Sequence, residues 1–103
     1  ATAAQLLNYN RQRADLIERI IPMVEGEKSR GDWLRQYADG LAAAVQTGSY
    51  PDGLQRLNRL QKQVSQDKEM EGYVWYRRLL AEYAVRLQQS KEEERHVILA
   101  GTD

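Results

Sequence analysis

The sequence predicts an all-α fold of four antiparallel helices, arranged as two consecutive helical hairpins in a bundle or a short solenoid. Apolar residues recur at intervals of three and four along most of the chain, and capping residues mark where these runs begin and end. No segment sustains the alternation of apolar and polar residues typical of a half-buried strand. The chain has 103 residues, enough for one domain, and we expect a helical domain over residues 1–95 and a C-terminal tail over 96–103.

The first helix is predicted over residues 3–24. Thr2 and Gln5 have the spacing of a capping box, in which each side chain satisfies a backbone N–H that the first turn leaves unpaired. Pro22 should kink or end the helix near residues 18–21, because its ring crowds the carbonyl four residues earlier. The apolar stripe of this helix comprises Leu6, Tyr9, Leu16, Ile17, Ile20, Ile21 and Val24.

The second helix is predicted over residues 30–47. Gly26 lies where the first apolar run stops, as a glycine after a helix C-terminus would, and Ser29 followed by Asp32 is a looser version of the capping box. Short connections of this kind favour antiparallel neighbours. The inner face of the second helix is predicted to comprise Trp33, Leu34, Tyr37, Ala38, Leu41, Ala44 and Val45.

The third helix is predicted over residues 50–65. Gly48 again marks the end of the preceding run, Ser49 with Asp52 repeats the looser capping pattern, and Pro51 falls in a first turn where its missing N–H costs little. The inward positions of this helix are predicted to be Leu54, Leu57, Leu60, Gln61 and Val64.

The fourth helix is predicted to open with Asp67 as its N-cap and to end near residues 90–95. Its apolar residues cover more than half of the circumference, which is more than one buried stripe needs, so the helix should touch two neighbours. One account makes it the central helix of the bundle; the other leaves Trp75 and Leu79 on a surface that another hairpin, subunit or target protein covers. The inner stripe is predicted to comprise Met70, Tyr73, Tyr76, Leu80, Tyr83, Ala84 and Leu87.

Charge and composition exclude several classes of function. Lys plus Arg equals Asp plus Glu at 15 each, so no net field attracts nucleic acid or an acidic membrane, and no stretch approaches the ~20 apolar residues of a membrane span. The chain has no Cys, which removes thiol catalysis and Cys-based zinc sites. Arg56, Arg59 and Lys62 form a basic stripe that could meet phosphate, although a solvated outer face is the simpler interpretation.

Catalytic patterns are sparse. The single His follows an acidic run, so a helical Glu93-x-x-His96 would place both side chains on one face, as in di-iron bundles. A complete site of that kind needs a second Glu-x-x-His, which only a homodimer could supply. A solvated, charged helix end is the plainer interpretation, and we expect no cofactor and no enzymatic activity.

Four segments, residues 9–20, 33–39, 50–54 and 83–88, resemble the helical region that precedes the thiol-disulfide domain in planctomycete thioredoxin-like (redoxin) proteins. The resemblance covers about residues 5–90. It implies an all-α, tetratricopeptide-like hairpin array that serves as an accessory or docking module in an envelope or periplasmic redox protein. No active-site residue carries over, because the Cys pair of that family belongs to the following domain.

The sequence therefore predicts a non-catalytic helical module for protein–protein or interdomain packing. Its expected contact residues are Trp33, Trp75, Tyr76 and Leu79, and its expected partner is a protein or an adjacent domain, with a homo-oligomer as one form of that partner. The alternative is a metal-binding helical-bundle enzyme assembled across a dimer through Glu93 and His96. Nucleic-acid binding is a weaker third hypothesis.

Overall fold

The computed structural model describes residues 1–100, and within them the chain is all-α, with four helices that pack together. Helix α1 spans Ala3–Ile20, α2 spans Glu27–Gln46, α3 spans Gly53–Gln63 and α4 spans Lys68–Ala100, with a short 3-10 helix at Ile21–Met23. None of the helices in the described part of the chain is both long and apolar enough for a membrane crossing. The predicted fold class is confirmed.

The start and end of α1 follow from local chemistry. The Thr2 side chain accepts a hydrogen bond from the backbone N–H of Gln5, and the Gln5 side chain accepts one from the backbone of Thr2, which confirms the capping box. The α-helix ends at Ile20 and continues as one 3-10 turn that carries Pro22. The expected disruption by Pro22 is confirmed, and the predicted end at residue 24 is four residues too late for the α-helix.

The predicted start of α2 is wrong. The helix begins at Glu27, and its N-cap is Gly26, which has a φ of 88° and therefore occupies a conformation that favours glycine. Ser29 lies inside the first turn and caps nothing. Because α1 has already ended, Gly26 serves the start of α2 and is not the C-terminal glycine of the preceding helix.

The connection from α2 to α3 combines one correct and one wrong prediction. Gly48 has a φ of 77° after the last turn of α2, as predicted for a glycine that ends a helix. Ser49, predicted as a cap of the third helix, instead donates to the carbonyl oxygen of Ala44 and accepts from Asn10. Helix α3 starts only at Gly53 and ends at Gln63, shorter than the predicted 50–65.

Helix α4 begins as predicted and ends later than predicted. The Asp67 carboxylate accepts a hydrogen bond of 3.1 Å from the backbone N–H of Met70, so Asp67 is the N-cap. The helix then runs 33 residues to Ala100. It passes the expected end near 90–95 and takes in the first five residues of the predicted tail, whose last residues, 101–103, lie outside the described part of the chain.

The core lies around α2, which contacts α1, α3 and α4. Helix α4 contacts α2 and α3, as its breadth predicted, but it is not the central helix. Six α2 residues are buried, several of them alanines, and small side chains let neighbouring helices approach closely. At Gly53, an added Cβ would lie 2.9 Å from the Val45 side chain, so only glycine fits at that contact. The largest fully buried side chains are Leu57 and Val74.

Helix α1 packs less completely than the sequence predicted. Of its expected stripe, Ile17 is buried together with Ala14, whereas Leu6, Tyr9 and Leu16 are exposed. Residues 1–9 are exposed throughout, so the first half of the helix projects beyond the core. The apolar periodicity indicated a helix correctly but did not indicate which turns have a neighbour to pack against.

The chain is extended for its size. Its Cα radius of gyration is 16.5 Å, compared with about 13 Å for a compact domain of this length. Its accessible surface is 7521 Å², compared with about 6,000 Å² for a compact monomer of 11.9 kDa. The excess surface belongs largely to the projecting half of α1 and to α4, whose residues 86–99 are all exposed.

Replacing Leu57 by Ala tests the position of the core. Leu57 is 0% exposed, so Leu57→Ala should lower the free energy of unfolding by about 2–5 kcal/mol through lost burial and the cavity left behind. Leu7, on α1, is 43% exposed, and Leu7→Ala should change that free energy by less than about 0.5 kcal/mol. Urea unfolding followed by circular dichroism measures both, and equal losses would contradict this core.

Candidate functional site

Helix α4 has two apolar faces. The side that contacts α2 and α3 carries Val74 and Ala81, both 0% exposed. Residues two positions away on a helix point to nearly the opposite side, and at those positions the structure exposes large apolar side chains. We define the outer face of α4 as Gly72, Trp75, Tyr76, Leu79, Tyr83 and Leu87.

The outer face is substantially open to solvent. Trp75 is 46% exposed, Tyr76 55%, Leu79 37%, Tyr83 67% and Leu87 44%. Their spacing of three and four residues aligns them along about four turns of one helix, so they form one continuous strip. Gly72 continues this strip toward the start of the helix, and a Cβ added there would meet nothing within 4 Å.

The structure brings together three of the four predicted contact residues. Trp75, Tyr76 and Leu79 are neighbours on the outer face, whereas Trp33 is half-buried and packs against the core from α2. Tyr76, Tyr83 and Leu87 had been assigned to the inner stripe of the fourth helix, and that assignment is wrong. In the sequence, the outer face is visible as a second strip of apolar residues. This strip is offset by two positions from the buried strip that contains Val74 and Ala81.

Polar contacts fix α4 to α2 and so fix the direction of the outer face. The Arg77 guanidinium lies 2.8 Å from the Asp39 carboxylate, and the Tyr73 hydroxyl donates to the same carboxylate at 2.7 Å. Arg77 also donates to the Tyr73 hydroxyl and lies over its ring, 5.2 Å from the centroid. The hydrogen bond with Tyr73 and the charge of Asp39 raise the pKa of Arg77, which stays cationic.

A second polar cluster joins α1 to α3 around Arg56. Its guanidinium donates to the Asp15 carboxylate at 2.5 Å and to the Tyr50 hydroxyl at 2.8 Å, and it lies 3.2 Å from the Glu18 carboxylate. Glu18 also accepts a hydrogen bond of 2.5 Å from the Tyr37 hydroxyl. We call these five residues the Arg56 cluster.

The protonation of the Arg56 cluster follows from its contacts. The hydrogen bond from Arg56 lowers the pKa of Asp15. Partial burial raises the pKa of Glu18, but hydrogen bonds from Tyr37 and Arg59 outweigh burial and lower it overall. Burial, together with the bond to Glu18, raises the pKa of Tyr37, so its hydroxyl remains a donor. Both carboxylates are therefore ionised and paired at neutral pH.

The basic stripe of α3 is not an open surface. Arg56 is turned toward α1, with a side chain only 13% exposed, and Arg59 donates to Glu18 at 3.1 Å. Of the three residues in the nucleic-acid hypothesis, Lys62 alone lies on the solvent side with no acidic group of the described residues paired to it. The stripe therefore serves mainly to hold α1 against α3.

The residues of the metal-enzyme hypothesis lie apart from both polar clusters. Glu93 and His96 are exposed on the part of α4 that projects beyond the core. Over residues 1–100, no three His, Cys, Asp or Glu side chains come together in a group that could hold a metal ion. The structure thus adds no ligand to this pair.

Comparison of the chain with protein-family models, curated proteins and solved structures finds no match. What the protein does must therefore be inferred from the outer face of α4 and from the Arg56 cluster.

Replacing Arg56 by Met tests the Arg56 cluster. Met keeps most of the apolar stem but removes the charge that hydrogen-bonds Asp15 and Tyr50 and pairs with Glu18, so Arg56→Met should lower the free energy of unfolding by about 1–3 kcal/mol at pH 7. Arg35 pairs with Asp32 on the surface, where the two side chains are 40% and 53% exposed, and Arg35→Met should change it by less than about 0.5 kcal/mol.

The same pair of variants has a distinct acid dependence. The pKa values of Asp15 and Glu18 are lowered by folding, so the stability they contribute is present above their ordinary values of 3.8 and 4.5 and is lost as the pH falls below them. The difference between wild type and Arg56→Met should therefore shrink with acidification. A difference that stays constant from neutral to acidic pH would contradict the ionised cluster.

Proposed function

We propose that the chain is a non-catalytic helical module that packs against another protein or an adjacent domain through the outer face of α4. One observation carries the proposal: five large apolar side chains form a continuous exposed strip on a helix whose other side is already buried in the core. Scattered exposed apolar residues are ordinary, but a continuous patch of this kind is characteristic of an interaction surface.

The composition of the outer face supports this proposal. Trp and Tyr are enriched in protein interfaces because they bury a large area while losing few rotatable bonds, and a Tyr hydroxyl can remain hydrated at the rim. Here Trp75 and Leu79 supply apolar area, and Tyr76 and Tyr83 supply rings with polar ends. The amphipathic helix is the recognised element in the helix-in-groove mode of association.

The Arg56 cluster favours a structural role over a catalytic one. Groups with shifted pKa values often mark active sites, but here Asp15, Glu18, Tyr37 and Arg56 contact one another, although the buried Nη1 of Arg56 has no hydrogen-bond partner. Two hollows border the cluster: one of about 20 Å³, lined by Asn10 and Tyr50 among others, and one of about 330 Å³, lined by Glu18 and Tyr37 among others. A water molecule fits in about 10–15 Å³ by the same measure, so the smaller hollow suits only a solvent molecule, and the structural role rests on the pairing of the charges within the cluster.

We further propose, on the resemblance to planctomycete redoxin proteins, that the module is accessory to a thioredoxin-like domain. The chain contains no Cys, so any thiol chemistry would belong to a companion domain. The reading frame that encodes the chain tests this point. A thioredoxin-like domain with a Cys-x-x-Cys motif after Asp103 supports the proposal, and a stop codon there contradicts it.

Photo-crosslinking in the producing cell tests the docking surface. A benzophenone amino acid at Tyr76, 55% exposed on the outer face, should form covalent adducts with the molecule that covers it. The matched control is the same substitution at Tyr9, which is 62% exposed on α1 and outside the outer face. Adduct yield on denaturing gels should be several-fold higher at Tyr76, and mass spectrometry identifies the adduct.

Comparable adduct yields at the two positions would contradict the proposal, because they would indicate only random collisions of other proteins with exposed side chains. Absence of adducts at Tyr76 and also at Tyr83 would contradict it equally. Circular dichroism of each substituted chain verifies that the helices are retained.

A further inference from the structure

We propose that the molecule that covers the outer face of α4 is a second copy of this chain, with the two α4 helices antiparallel about a two-fold axis at the level of Ala81. This inference rests on the proposed docking role of the outer face and adds the identity and orientation of the partner. It follows from four properties of α4: the charges at its two ends, an unpaired cation at its edge, its small residues and its area.

The two ends of the outer face differ in the sign of the helix dipole, and this difference bears on the orientation of the pair. Lys68 and the helix N-terminus, with its positive dipole end, lie at one end, and Glu93 and Glu94 lie on the same side of the helix at the other. Glu69 and Glu71 share this first turn, and Glu71 lies 3.8 Å from Lys68, so the positive character of this end comes mainly from the helix dipole. In the antiparallel register, Glu93 and Glu94 of one copy meet the first turn of the other, with its dipole end, Lys68 and Glu69. In a parallel pair, the acidic residues would face each other and repel.

Arg86 lies at the edge of the outer face and has no ion pair among the described residues. The nearest acidic neighbour along the helix, Glu82, is held at 2.7 Å by Arg78. In antiparallel helices, residues on the same edge meet when they lie at equal distances on either side of the axis. Arg86 lies five residues after Ala81 and Trp75 six residues before it, so the two positions come within one residue of that condition and each Arg86 reaches the Trp75 ring of the other copy, where a cation–π contact forms.

Small residues stand where the backbones must approach. Gly72 and Ser90 lie equally far from Ala81 on the solvent side of α4, and an added Cβ at Gly72 meets nothing within 4 Å. In the proposed register, Gly72 of one copy faces Ser90 of the other. At the centre, Leu79 of one copy packs against Tyr83 of the other, so the apolar strip covers itself.

The available area is sufficient for a stable dimer. The chain exposes 7521 Å², about 1,500 Å² more than a compact monomer of its mass, and this excess is shared between the first half of α1 and α4. A standard interface buries about 800 Å² on each partner. Overlap from Lys68 to Glu94 would bring about 40 Å of each helix into the interface, and it would include the part of α4 that projects beyond the core.

Sedimentation of the purified 103-residue chain tests self-association. Wild type should sediment at twice its 11.9 kDa mass, and Leu79→Glu should raise the dimer dissociation constant at least tenfold by placing a carboxylate at the centre of the interface. Leu7→Glu is the matched control, because Leu7 is similarly exposed but lies on α1. It should leave the dissociation constant unchanged.

Spin labels test the orientation, and the absence of Cys in the chain makes single-Cys labelling specific. With Ser90→Cys, two labels in the antiparallel dimer should lie about 30 Å apart, whereas a parallel dimer would bring them to about 10 Å. A mixture of Gly72→Cys and Ser90→Cys chains should give the short distance instead. Pulsed dipolar spectroscopy resolves the two cases.

Three results would overturn the inference. They are a monomer at every concentration up to about 1 mM, a dimer whose dissociation constant is unchanged by Leu79→Glu, or a short distance between the two spin labels of Ser90→Cys chains. A monomer that nevertheless crosslinks through Tyr76 to a different protein in the cell would overturn this inference alone and leave the docking role intact. A monomer without Tyr76 adducts would overturn both.

Discussion

Close packing against the alanine-rich side of α2 is the constraint on which the rest of the structure depends. Ala38, Ala42 and Ala44 are buried, and the contact between Gly53 and Val45 leaves no room for a side chain on α3. Small residues on α2 allow α3 and α4 to contact it and each other at once. Because α4 uses only the side that carries Val74 and Ala81 for this packing, its opposite side is left to solvent.

The attachment of α1 has a different physical basis. This helix buries only Ala14 and Ile17, so apolar packing alone holds it weakly, and the Arg56 cluster supplies directional contacts from α3. A charge that is mostly withdrawn from water stabilises a structure only when its partners are ionised and well placed. The position of α1 therefore depends on protonation more than the position of α4 does.

The sequence correctly predicts those parts of the fold that depend on interactions between residues only a few positions apart in the chain. The Thr2 capping box, the glycine at position 48 and the Asp67 N-cap depend on spacing along the chain, and all three are confirmed. Ser29 and Ser49 have the same local pattern but do not cap, because α2 begins earlier, at Glu27, and α3 begins later, at Gly53, than that pattern predicts. Which side of α4 is buried also depended on tertiary contacts: periodicity revealed an excess of apolar residues on α4 but could not decide between two strips on opposite sides.

The continuity of α4 imposes a further constraint on how this chain can change. Each residue of a helix advances the side chains by about 100°, so a single insertion after Ala81 would leave the buried half of α4 in place and rotate everything beyond it. The outer face would then be divided into two short strips on different sides of the helix. Substitutions on the exposed end of α4 therefore alter one position of the outer face at a time, whereas an insertion near Ala81 changes the direction in which all later residues point.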